Sequence, residues 1–107
     1  MARVVALVPD LMLASRVQSM LLAAGHDVAL GGDPAGADVL VVDLMADGVD
    51  AAALAHSGPA TLGVFAHTKP EVREAALAAG FDLVVPRSRM VREGAELVAR
   101  LASHGER

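Results

Sequence analysis

The chain has 107 residues, 54% of them hydrophobic and 21% charged, with a formal net charge of -4. This length suits one hydrophobic core, and the apolar fraction excludes intrinsic disorder. With no cysteine and only two aromatic residues, Phe65 and Phe81, the chain excludes disulfides, thiolate nucleophiles and Cys-ligated metals, and its core has to be built from Val, Leu and Ala.

In chain order, residues 4–8 form a first apolar run bounded by Pro9, read as a strand. Leu13, Val17, Met20, Leu21 and Ala24 then follow the spacing of one buried helix face, and Gly25 supplies a left-handed stop. Residues 27–30 are a weaker strand suited to a sheet edge. Residues 31–38, Gly-Gly-Asp-Pro-Ala-Gly-Ala-Asp, stand where a full crossover helix is expected. Fully extended they reach about 26 Å at roughly 3.3 Å per residue, enough for one turn capped at Asp33 with Pro34 next, and not enough for a normal helix. The alternative is that residues 27–30 do not pair as a parallel strand.

Residues 39–42 are the next strand, followed by a short helix over 51–56 with Asp47 or Asp50 as cap and Gly58-Pro59 as terminator. After a strand over 62–66, Thr68-Lys69-Pro70-Glu71 reads as a capping box that opens a helix running to Gly80. Residues 83–85 form the last strand. The final helix starts at Ser88 with Val91, Ala95, Val98, Leu101 and Ala102 as its apolar stripe, and residues 103–107 form a frayed tail. Met12, Met20, Met45 and Met90 read as gap fillers in an Ala-rich core.

The strands lack alternation, so both faces are covered, as in a parallel sheet. Residues 1–107 are therefore expected to form one α/β domain, a three-layer sandwich with a flavodoxin-like five-stranded parallel sheet in the order 2-1-3-4-5, its second helix shortened or absent. Ligands of such sheets collect at the carboxyl ends of the strands. There the chain places Pro9 and Asp10, Asp43, His67, and Pro86 and Arg87. Together they could bind an anion or a divalent cation, or let Asp43 act as a nucleophile. The plainer reading makes Asp10 a helix cap, Asp43 a turn residue, His67 a loop residue and Arg87 a surface charge.

Residues Ala37-Asp38-Val39-Leu40-Val41-Val42-Asp43-Leu44, and the stretch from Ala66-His67-Thr68-Lys69-Pro70-Glu71 through Ala79-Gly80-Phe81-Asp82, resemble the response-regulator receiver (CheY-like) domains of bacterial two-component signalling. The resemblance covers nearly the whole chain. It implies that Asp43 stands at the phosphoacceptor position and that Arg87, seven residues after Gly80, stands at the position of an invariant lysine. The pair of magnesium-binding acids falls on Val8 and Pro9, with Asp10 one step late. Phe65 falls at the position of a small hydroxyl residue, and the proline that usually follows the lysine precedes Arg87 as Pro86.

These departures imply a degenerate receiver, a non-enzymatic signalling or interaction module in the cytoplasm that docks a protein partner or a second copy and needs no cofactor. The family's fourth helix, last strand and last helix form its usual docking face; here it carries Lys69, Arg73, Arg89, Arg92, Glu93 and Glu96. The alternative is a working receiver: Asp43 accepts a phosphoryl group, Asp10 with Asp43 holds Mg2+, and Arg87 clamps the phosphoryl oxygens. Small-ligand binding is a weaker third reading, since the first turn has no glycine and no Asp-x-His-x-x-Gly motif occurs. The dispersed charge and missing aromatic platform argue against nucleic acid, and no apolar run is long enough to span a membrane. The four histidines are scattered, and neither a nucleophile elbow nor a P-loop is present.

Overall fold

Strands that are apolar at every position are stable only when helices cover both of their faces. The computed structural model, which describes residues 2–105, meets that requirement with five parallel strands: β1 (Arg3–Leu7), β2 (Asp27–Leu30), β3 (Val39–Asp43), β4 (Ala60–Phe65) and β5 (Leu83–Pro86). Their order is β2-β1-β3-β4-β5. The connecting helices are α1 (Leu11–Ala23), α2 (Ala51–Ala55), α3 (Pro70–Ala79) and α4 (Arg87–Gly105). No described helix is long and apolar enough to cross a membrane.

The period-two geometry of the strands divides the core into two layers. Val4, Ala6, Val39, Val41, Val64 and Val85 face α1 and α4, where they meet Val17, Leu21, Met90, Leu97 and Val98. Val5, Leu40, Val42, Phe65 and Val84 face the other way, against Ala76, Phe81 and the partly buried residues of α2 and α3. All five residues of β3 are buried. Gly63 is the point of closest approach: a Cβ there would lie 2.6 Å from Leu44 Cδ1 and 3.2 Å from Phe81 Cδ2, so only glycine fits without displacing them.

Residues 27–30 do pair in parallel with β1, Arg3 opposite Asp27 and Ala6 opposite Leu30. In the link that follows, the Ala35 amide donates to Asp33 Oδ1 at 2.9 Å and the Ala37 amide to the Pro34 carbonyl at 3.1 Å. One turn thus replaces the second helix. β2 is left as an edge strand in which Asp27, Ala29 and Leu30 are exposed.

Helix ends follow local chemistry. Asp50 caps α2 by accepting from the Ala53 amide at 3.1 Å, and Gly80, at φ 115°, ends α3 in the left-handed region. The capping box at Thr68 does not form. Lys69 is the cap residue and makes no side-chain cap hydrogen bond, because Pro70 opens α3 and forces the residue before it out of the helical region, to φ -126° and ψ 64°. α4 starts at Arg87, one residue earlier than expected, and stays helical through Gly105; the remainder of the expected frayed tail, Glu106 and Arg107, lies outside the described residues. Met90 is fully buried and, with Met20, fills the notch above Gly94. Met12 is no gap filler: it is 74% exposed.

Three polar clasps close the amino-terminal edge of the sheet. Asp38 Oδ2 accepts from the Arg3 amide at 2.8 Å, His26 Nδ1 accepts from the Ala2 amide at 3.1 Å, and Asp82 Oδ2 accepts from the Thr61 amide at 2.8 Å. Thr61 Oγ1 lies 3.2 Å from the same oxygen and accepts from the Asp82 amide at 3.0 Å. Thr61 is fully buried, so Asp82→Ala leaves its amide without a partner. The expected loss is about 1–3 kcal/mol of unfolding free energy, read from urea titration as a lowered midpoint at unchanged slope. Thr61→Val is expected to cost much less in the Asp82→Ala background than in wild type, because the two residues share one network.

Candidate functional site

The turn after β1, the end of β3 and the start of α4 meet at the carboxyl edge of the sheet, on the α1/α4 side. Asp43 is the last residue of β3, in the same alternation as Val39 and Val41, and its side chain is 4% exposed. Its Oδ1 accepts from the Met45 amide at 3.0 Å. Asp10 ends the turn Val8-Pro9-Asp10 as the cap of α1, its Oδ1 accepting from the Met12 and Leu13 amides at 3.0 and 3.1 Å. Each carboxylate thus spends one oxygen on backbone and keeps the other free for a cation.

Arg87 takes both remaining oxygens. Its Nη2 lies 3.4 Å from Asp43 Oδ2 and its Nη1 3.9 Å from Asp10 Oδ2. The guanidinium fork suits this double engagement, since its nitrogens are fixed in one plane, whereas a lysine offers one compact charge. Arg87 Nε is buried without a hydrogen-bond partner. The half-exposed head of Arg87 also borders an open cleft of about 440 Å3 between α1 and α4, lined by Asp10, Met12, Leu13, Arg16, Ser88 and Val91.

The structure therefore brings together Asp10, Asp43 and Arg87. It does not bring in Phe65 or His67. Phe65 is buried in the α2/α3 layer beside Leu40, Val42 and Phe81, on the opposite side of the sheet from the guanidinium. His67 is exposed in the loop before α3 and does not line the cleft. Val8, expected at one metal-acid position, belongs to the core, and Pro9 is exposed. Among the described residues no three His, Cys, Asp or Glu side chains are grouped to hold a metal ion. Sequence reading did not single out Arg16 and Ser88 as neighbours of this edge; the turn of α1 beyond Asp10, and the start of α4 one residue early, are what put them there.

Removing the guanidinium leaves a buried carboxylate without its counter-charge. Arg87→Met is expected to lower stability at neutral pH by about 1–2 kcal/mol, toward the lower end for a charge-assisted bond because the arginine is partly solvated. In an Asp43→Asn background the same substitution should cost clearly less. A double-mutant cycle by urea unfolding checks the coupling, which vanishes if the two side chains do not interact.

No protein-family model and no curated protein sequence matches the chain. Among solved structures it is similar to the receiver domain of the Francisella response regulator 1452, at a TM-score of 0.81 and 18% identity over 97% of this chain and 98% of that one. It is also similar to the signal receiver domain of NarL from Mycobacterium tuberculosis, at a TM-score of 0.76 and 22% identity over 95% of this chain and 96% of that one. NtrX from Brucella abortus, solved in complex with ADP, matches with a TM-score of 0.83 and 14% identity; the match covers 98% of this chain and 28% of that longer one. The chain has the CheY-like fold of response-regulator receiver domains.

Proposed function

We propose that this chain is a degenerate receiver of two-component signalling, which acts by docking to another protein and is not efficiently phosphorylated. The observation that carries the reading is Arg87, whose guanidinium spans Asp43 and Asp10. Phosphoryl transfer to an aspartate calls for a metal ion to neutralise charge on the transferring group and for donors to its equatorial oxygens. The donor set does not fit Mg2+, which is held by oxygen ligands in near-octahedral geometry: two carboxylates are available, each already holds backbone amides, and a tethered cation lies against their remaining oxygens. The residue at the expected hydroxyl position, Phe65, is apolar and turned into the core.

The face formed by α3, β5 and α4 is the proposed docking surface for the protein partner. Lys69, Arg73, Arg92 and Glu96 are exposed there. Arg89 pairs with Glu93 at 3.5 Å, and Arg92 with the same carboxylate at 3.1 Å. The Arg92 hydrogen bond, with help from Arg89, holds the Glu93 carboxyl below its ordinary pKa. A surface of both signs selects a partner by charge placement more than by apolar area.

The competing reading keeps Asp43 as a nucleophile, Asp10 as its companion ligand for Mg2+ and Arg87 as a phosphoryl clamp. Incubation with acetyl phosphate and Mg2+, or with beryllofluoride, separates the two. The docking reading expects no mass increase and no change in amide chemical shifts. Adduct formation in wild type that disappears in Asp43→Asn establishes the working receiver instead. A manganese titration is a second measure: the proposal expects no selective broadening of amides in residues 8–12 and 43–47.

A further inference from the structure

We infer that the hollow between the end of β1 and α2 is a docking site for an amphipathic helix of a partner protein, one that sets lysine or arginine beside its apolar anchors. Both faces of a parallel sheet have to be covered by helices. Because the strands run in the order β2-β1-β3, the link from β2 to β3 has to pass across β1, and it supplies one turn there in place of a helix. On the same side α2 and α3 pack on β4 and β5. The end of β1 is therefore left without a full cover. Leu7 is half-buried, and with Val42, Val49 and Leu54 it borders a hollow of about 330 Å3.

The rim of this hollow selects its occupant. Asp47 and Asp50 line it and are exposed. No lysine or arginine among the described residues lines it, and neither carboxylate forms an ion pair within them. Asp50 gives one oxygen to the Ala53 amide as the cap of α2 and keeps the other free. An apolar floor edged by two uncompensated negative charges fits a helix with apolar residues at i, i+4 and i+7 and cationic residues beside them. The same two charges repel a nucleic-acid backbone or an anionic lipid surface.

A second copy of this chain has no such helix to offer. Its exposed large apolar side chains belong to α1 and β2, and the one charged residue of α1 is Arg16. The arginine-rich α4 turns its apolar stripe into its own core. The occupant therefore comes from a different protein, whose helix would complete the layer that the short link leaves open. No residue of α3, β5 or α4 lines the hollow, so this site is separate from the docking face proposed above and stands independently of the phosphorylation state of Asp43.

The probe is a peptide of leucine and lysine about four helical turns long, with the leucines on one face; its counterpart carries glutamate in place of every lysine. Each is titrated into the isotopically labelled full chain and followed by amide chemical shifts. The lysine peptide is expected to give saturable shifts confined to residues 7–9 and 42–54, and the glutamate peptide none. Asp47→Asn/Asp50→Asn, in which asparagine still caps α2, is expected to weaken binding about fivefold to tenfold through the loss of two exposed ion pairs. Glu71→Gln/Glu74→Gln, the same change in net charge placed on α3, is expected to leave affinity unchanged. Ala53→Phe, at an exposed position lining the hollow, should fill it and abolish the shifts while the thermal transition of the fold is kept. The inference is overturned by the absence of saturable shifts, by shifts centred on α1 and β2, by equal binding of the glutamate peptide, by equal weakening in the two double variants, or by undiminished binding to a folded Ala53→Phe variant.

Discussion

A carboxylate at the end of a strand covered on both faces has to be neutralised or hydrogen-bonded, because isolated charge in a low-dielectric interior is far too costly to hold. Asp43 is that carboxylate, and the organisation of the carboxyl edge follows from the way its charge is met. One oxygen takes the Met45 amide and the other takes Arg87. Since Arg87 is also the first residue of α4, the ion pair joins the central strand to the last helix. Asp10, by capping α1 while facing the same guanidinium, draws the first helix into the group. Three separate elements thereby share one charge balance.

The two layers of helices are unequally furnished. α1 and α4 bury the larger side chains and close over β1, β3 and β4, whereas the opposite layer has a five-residue α2, and a single turn where a crossover helix would lie. On α3 and α4 many exposed groups are charged and partly paired with one another; along α1 and β2 the exposed large side chains Leu11, Met12, Leu22 and Leu30 are apolar.

Much of the fold was legible because its signals are local. Unbroken runs of Val and Leu marked the buried strands, Gly80 marked a helix end, and Asp33-Pro34 marked the one turn that fits an eight-residue link. Asp10, Asp43 and Arg87 were found by counting from those landmarks, since parallel strands deliver their carboxyl ends to one edge. What stayed hidden depends on contacts distant in sequence. Nothing near Thr61 announces Asp82, although an aspartate immediately before each of β3 and β5, at Asp38 and Asp82, was a signal available for both clasps. Thr68 was misread because the restriction imposed by Pro70 on Lys69 outweighs the capping pattern. Phe65 was placed correctly along the strand, but counting does not say which layer its ring enters.

A diffusible ion at such an edge would be governed by its concentration outside the protein. Arg87 is part of the covalent chain, so the cation facing Asp43 cannot be diluted away or removed by a chelator. On the proposed reading, whether the two carboxylates are compensated is settled by side-chain torsions and not by the supply of magnesium.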